Sequence, residues 1–242
     1  MNKELFIKGI TRFSAGVVLV AALLFIPAGT LHYPQAWLLI GILFVPMFIA
    51  GLIMMKTNPQ LLEKRLNVKE EETEQREVIL LSGIMFLAAF ISAGLSFRFQ
   101  WLMFPMAVSY IGAVIFLASY ALYAEVLREN TWLSRTIEVQ ENQQVIDTGL
   151  YGIVRHPMYM ATLFLFSAMP LVLGSAVSFV IILAYIPIIV KRIRNEEQVL
   201  AEGLHGYKEY MEKVKYRLIP FVWKSQLKQA PGKLVPVRRT EP

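Results

Sequence analysis

Residues 158–190 read MYMATLFLFSAMPLVLGSAVSFVIILAYIPIIV, a run without one charged side chain. A single helix over this run would be about 50 Å long, against a hydrocarbon core of roughly 30 Å. Pro170 and Gly174-Ser175 lie near its middle and signal a turn. Two arrangements therefore compete: one long tilted helix, or a hairpin of two shorter spans. The rest of the chain decides between them.

Upstream, three further breaks divide the apolar sequence. Phe13–Leu31 is followed by His32-Tyr33-Pro34 and a second run through Met55. After a charged segment, Lys56 to Glu77, come Val78–Phe97, a turn at Arg98-Phe99-Gln100, and Trp101–Ala124. These are two antiparallel pairs of spans. If 158–190 is a hairpin there are six spans, and 23 of the 24 Lys and Arg residues fall on one side, with only Arg98 on the other. A single helix would send every basic residue after Val190 across the membrane. The positive-inside rule selects the hairpin and places both termini in the cytoplasm.

Composition agrees. The chain has 242 residues, 56% hydrophobic and 17% charged, with a mean hydropathy of +0.50. Soluble domains carry about 25% charged residues. The net charge of +6 reflects basic residues at the ends of apolar runs and does not mark a nucleic-acid binder. There is no Cys, which excludes disulfides, thiolate nucleophiles and Cys-ligated metals. His32, His156 and His205 are far apart and outside any metal motif, so no metal is expected. Lys3, Lys8 and Arg12 precede the first apolar run, which is longer than a signal core and lacks a clear cleavage site, and it reads as an uncleaved span.

Three polar clusters fall on the cytoplasmic side. The first, Gly149-Leu150-Tyr151-Gly152-Ile153-Val154-Arg155-His156-Pro157-Met158-Tyr159, leads directly into the hairpin. Pro157 suits the first turn of a helix, and the free N–H groups and positive dipole end there favour an anion. The second is Glu196-Glu197, about a turn beyond the bilayer exit; the third runs from Tyr207 through Arg217. Closing the hairpin brings the first two together. Simpler readings compete: Arg155 as a lipid anchor, Tyr207 and Tyr210 as interfacial aromatics, and Arg192 with Glu196, or Lys208 with Glu212, as helix-surface pairs. Ile137, Val139, Val145 and Ile146 around Glu141-Asn142-Gln143 suggest a weak β-hairpin. The block Lys69–Glu74 reads as a solvated face.

The C-terminal part resembles the isoprenylcysteine carboxyl methyltransferase family and, more broadly, phospholipid N-methyltransferases. The matching residues are Thr148-Gly149-Leu150-Tyr151, Val154-Arg155-His156-Pro157-Met158-Tyr159, and, after the hairpin, Arg192-Ile193-Arg194-Asn195-Glu196-Glu197, Leu200, Gly206-Tyr207, Tyr210 and Arg217-Leu218-Ile219-Pro220. Ala161 stands where the family usually has Gly, Leu150 where Pro is common, and Leu204-His205-Gly206 replaces a more usual aromatic–Gly pair.

The resemblance implies an all-α polytopic membrane enzyme that uses S-adenosylmethionine as methyl donor. It implies cofactor contacts from Tyr151, Arg155, His156, Pro157, Tyr159, Glu196, Glu197, Tyr207 and Tyr210, and catalytic roles for Arg217 and Glu197. His156, Arg155 and the helix start suit a carboxylate, a glutamate suits an ammonium or ribose, and the tyrosines suit adenine or a sulfonium. The expected partners are membrane lipids and a lipophilic or small-molecule methyl acceptor, with carboxylate O-methylation favoured. The expected organisation is a four-span region over 1–124, a methyltransferase-like region over 125–223, and a basic, disordered tail over 224–242. Two other readings stay open: a membrane reductase of the steroid or sterol type using a nicotinamide dinucleotide, and a non-enzymatic scaffold.

Overall fold

The computed structural model describes residues 3–66, 73–133 and 139–224. Most of the Lys69–Glu74 block, Ile137, and the tail beyond Lys224 lie outside the described residues. The described residues form helices α1 (Lys3–Ala28), α2 (Pro34–Thr57), α3 (Pro59–Leu66), α4 (Thr73–Phe99), α5 (Met106–Glu129), α6 (Pro157–Leu173), α7 (Ala176–Ile182), α8 (Tyr185–Gly203) and α9 (Tyr207–Lys213). A 3₁₀ turn at Gly149–Gly152 precedes α6. This is an all-helical polytopic membrane protein.

α1, α2, the Glu77–Phe99 part of α4, α5 and the nearly continuous α7–α8 are long and apolar enough to cross a membrane. α6 has 17 residues, at the lower limit for a span. With α6 added to these five there are six apolar segments among the described residues, the number the charge pattern asks for. α7 and α8 are interrupted at Leu183-Ala184 because Pro187 has no N–H to offer the Leu183 carbonyl and its ring crowds that group.

The hairpin turn is real. Gly174 adopts φ +72, the left-handed conformation that suits Gly after a helix, and Ser175 caps α7 by accepting from the Ser178 N–H at 3.1 Å. The turn is fastened to the α4–α5 connection: Phe104 N–H donates to the Gly174 carbonyl at 2.7 Å and Ala176 N–H to the Leu102 carbonyl at 3.1 Å. The Ser175 and Ser96 hydroxyls meet at 3.0 Å. Tyr33, in the short α1–α2 link, is wholly buried. It stacks on Phe97 with centroids 4.0 Å apart and donates its hydroxyl to the Leu173 carbonyl at 2.7 Å. α5 crosses close to α6 at Gly112, where a Cβ would come within 2.8 Å of Leu171 Cβ and of the Val172 nitrogen. Small residues at such crossings let backbones approach in lipid.

Between α5 and α6 the chain turns at Gln140–Gln143, with Gln143 N–H on the Gln140 carbonyl at 3.1 Å. No strand ladder flanks the turn among the described residues. Val145 instead packs on the α9 cluster of Leu204, Tyr207, Tyr210, Met211 and Val214, so this stretch becomes a wall of the site.

Candidate active site

At the end of the bundle opposite the Gly174 turn, the first residues of α6 meet the last turns of α8. Glu197, Arg155 and His156 are buried there. Arg155 Nε donates to Glu197 Oε1 at 2.8 Å, and its Nη2 lies 2.7 Å from the same oxygen. Its Nη1 donates to the Val214 carbonyl at 2.7 Å and to the Met211 carbonyl at 3.3 Å, holding the C-terminal end of α9. His156 Nε2 is 3.2 Å from Glu197 Oε1. Arg217 Nε donates to Glu197 Oε2 at 2.8 Å, and its guanidinium lies 4.9 Å from the Trp223 ring centroid.

The backbone closes the same knot. Arg155 N–H donates to the Tyr216 carbonyl and His156 N–H to the Arg217 carbonyl, both at 2.9 Å. Pro157 then opens α6 with no N–H to satisfy. The two amides just before the helix are thus taken by the C-terminal segment.

Glu196 points elsewhere, because consecutive helix residues do not share a face. It accepts from the Tyr159 hydroxyl, and Arg192 Nε donates to the Tyr159 oxygen at 2.9 Å. Glu196 Oε1 is 4.0 Å from His156 Nδ1. Tyr159, Arg192, Glu196 and His156 border a cleft whose space, its open mouth included, is about 800 Å³. Tyr151, Tyr207 and Tyr210 complete that side; Asn130, Trp132 and Gln143–Ile146 form the facing wall.

The tyrosines are not equivalent. Tyr210 donates to the Tyr151 carbonyl at 2.8 Å, whereas the buried Tyr207 hydroxyl has no hydrogen-bond partner among the described residues. Burial, and then the charges of Glu196 and Glu197, push the Tyr207 phenol well above its ordinary value. Burial also raises Tyr210. Both are therefore neutral donors. Below them, Lys213 Nζ bonds Asp147 at 2.6 Å and holds that exposed carboxyl below the usual range.

Residues 110–202 match the isoprenylcysteine carboxyl methyltransferase family. Over this region, and not over the whole chain, the sequence is similar to that family. The fold agrees over most of the chain. The structure of the eukaryotic intramembrane Ras methyltransferase isoprenylcysteine carboxyl methyltransferase superposes with a TM-score of 0.54, covering 88% of this chain and 77% of that one at 18% identity. Among curated proteins, the mouse Delta(14)-sterol reductase TM7SF2 is 32% identical over 91 residues. That match takes in 36% of this chain and 22% of the reductase, so the chain spans about a fifth of its curated relative.

The family match begins within α5 and ends within α8, so Tyr207, Tyr210 and Arg217 lie beyond it. All the singled-out residues nevertheless gather at one place. Tyr151, Arg155, His156, Tyr159, Glu196, Tyr207 and Tyr210 line the cleft. Glu197 and Arg217 sit behind it, and Pro157 is buried at the start of α6.

One residue of evident importance escaped the sequence reading, and two others take parts it did not give them. Glu129, at the end of α5, accepts from the Thr148 hydroxyl at 3.0 Å and the Leu150 N–H at 3.1 Å. It anchors the 3₁₀ turn carrying Tyr151. Gly149 sits between those donors at φ +48, where a Cβ would come within 2.1 Å of a Glu129 oxygen. Arg192 had been paired with Glu196 as a surface couple, a reading its spacing invites, but Tyr159 stands between them. Glu129 follows Glu125 and Arg128 at the end of a span, where charges are common, so nothing in the sequence set it apart.

Proposed function

We propose that the cleft binds S-adenosylmethionine and that the protein transfers its methyl group to a lipophilic or small acceptor at the cytoplasmic membrane face, with carboxylate O-methylation favoured. The observation that carries this reading is the convergence of Arg155-His156 and Glu196-Glu197, from either arm of the hairpin, at one cleft. The Lys and Arg bias toward this end of the bundle supports a cytoplasmic site and cytoplasmic termini.

The residues suit the cofactor's chemistry. The Tyr207 hydroxyl, buried and without a protein partner among the described residues, gains an acceptor from a ribose or carboxylate. Glu196 accepts from an ammonium or ribose hydroxyls. His156 presents its Nδ1 edge toward the same space, and the aromatic rings of Tyr151 and Tyr159 pack on adenine or face the sulfonium. Arg155 and Arg217 act through Glu197: their donors on that carboxylate keep His156 and α9 in position. Arg192, which lines the cleft and donates to Tyr159, is the cation there that suits an acceptor's carboxylate.

The cofactor supplies an activated methyl group on sulfur. A carboxylate acceptor would need neither a proton transferred nor a covalent enzyme intermediate, because the group that leaves, S-adenosylhomocysteine, would be a neutral thioether. The chain's contribution is alignment and exclusion of water. Incubating the purified protein with methyl-labelled S-adenosylmethionine and membrane extract tests the activity. A base-labile methyl ester is expected; a labelled amine or thioether would replace the carboxylate acceptor, and no labelled product would count against methyl transfer.

The sterol-reductase match motivates a second reading, a nicotinamide-dependent membrane reductase. A dinucleotide's phosphates call for several cations. Among its described residues the cleft lining offers Arg155, already committed to Glu197 and α9, and Arg192. Direct comparison of S-adenosylhomocysteine and NADPH binding separates the two.

A further inference from the structure

Residues 216–224 form a tight reverse turn. Tyr216 bridges Lys224, and Arg217 N–H donates to the Trp223 carbonyl at 3.1 Å. Its base is fixed to the site through the Tyr216 and Arg217 carbonyls, which take the Arg155 and His156 amides. Its flanks face inward. Leu218 is buried with Met85, Tyr159 and Ile189, and Ile219 and Trp223 pack on the same cluster. Met85 and Ile189 belong to helices long and apolar enough to cross a membrane, so the flanks of the turn are packed directly on the membrane-crossing bundle.

The tip faces away from the protein. Phe221 is 83% and Val222 74% exposed, and Phe221 has φ +67, a left-handed conformation that bulky side chains rarely adopt. The fold thus maintains strain at an outward apolar tip, and such strain persists where surroundings impose it. Cations flank the tip over aromatic rings: Arg217 over Trp223 at 4.9 Å and Lys224 over Tyr216 at 5.9 Å. An apolar tip, aromatic shoulders and the exposed Lys224 behind them are the order of groups met on entering a leaflet.

We propose that this turn is a wedge inserted into the leaflet at the site end of the bundle, with Phe221 and Val222 among the acyl chains beside the cleft. The bilayer is the occupant because the residues on both sides of the tip are already packed against membrane-crossing helices. The inference rests on the membrane fold and not on methyl transfer.

The absence of Cys allows a clean test. Phe221→Cys and, separately, Val222→Cys receive a nitroxide label in the full chain, with Lys208→Cys, at an exposed position of α9, as the aqueous reference. In phosphatidylcholine–phosphatidylglycerol nanodiscs, oxygen and a water-soluble nickel chelate are compared as relaxing agents. The oxygen-to-nickel accessibility ratio is expected to be several-fold higher at 221 and 222 than at 208. A ratio equal to that at 208 would put the tip in water, and low accessibility to both agents would put it against protein; either overturns the proposal. Unfolding temperatures within a few degrees of the parent, and agreement between the two tip positions, guard against a misfolded variant. The readout does not use the cofactor, so it stands or falls separately from the methyltransferase assay.

Discussion

Glu196 and Glu197 are adjacent on α8, yet their carboxylates belong to different environments. Glu197 is enclosed by Arg155, His156 and Arg217, while Glu196 accepts from Tyr159 and borders the cleft. One acid holds the site together and the other meets what enters it. The pair therefore separates structure from binding in a way substitutions can read.

Glu197→Ala leaves the buried Arg155 guanidinium without its counter-charge. Loss of one partner from a buried ion pair costs on the order of 3–5 kcal/mol, and thermal unfolding in detergent is expected to show a large drop. Glu196→Gln should leave unfolding nearly unchanged and weaken S-adenosylhomocysteine binding by about 10- to 100-fold, the worth of a charged hydrogen bond. The reverse pattern would invalidate the division of roles.

Gly149→Ala introduces a methyl group where Glu129 already lies and fixes a left-handed conformation at a cost of about 1–2 kcal/mol. Cofactor affinity should fall because the turn carrying Tyr151 shifts. Glu129→Ala alone should also weaken binding, through the loss of the Thr148 and Leu150 contacts. The double variant should be less impaired than the sum of the two, since residues in contact are not additive. Strict additivity in isothermal titration would show that the contact is unimportant.

Tyr207→Phe removes a hydroxyl with no protein partner among the described residues. Stability without cofactor should hold or rise, by up to about 1 kcal/mol, because a buried unsatisfied group is removed. Affinity for S-adenosylhomocysteine should drop at the same time. A stability loss with unchanged affinity would mean that the hydroxyl serves the fold.

Tyr207 and Tyr210 hold their protons more tightly than ordinary tyrosines. Below about pH 10 both folded and unfolded chains keep these protons, and no pH effect arises from them. Above it the unfolded chain ionises first, so stability falls as pH rises. Chemical unfolding followed through that range should show the decline, and Tyr207→Phe with Tyr210→Phe should flatten it. An unchanged slope in the double variant would assign the decline to other groups.

Much of this was legible in the sequence, for identifiable reasons. Long uncharged runs marked the apolar helices, because lipid excludes charge and unsatisfied backbone. Gly174-Ser175 marked the hairpin turn by its conformational chemistry, and closing the hairpin brought Arg155 and His156 to the paired acids. What stayed hidden were bonds between distant polar groups. The pairing of Arg155 with Glu197 was one of these, because a buried charge takes its partner from whatever the fold brings beside it. Tyr33 looked like part of a loop but fills the core, since its carbonyl partner, Leu173, lies far along the chain. The weak strand signal around Glu141-Asn142-Gln143 yielded a turn with no strand among the described residues, because Val145 packs on the α9 cluster instead.

The central claim, that the hairpin assembles a cofactor cleft at its open end, is tested most directly by isothermal titration of S-adenosylhomocysteine into the purified protein, with NADPH as comparison. Saturable binding of S-adenosylhomocysteine that is lost in His156→Ala and weakened in Glu196→Gln, with no binding of NADPH, is the predicted result. NADPH binding in its place, or S-adenosylhomocysteine affinity indifferent to both substitutions, would contradict it.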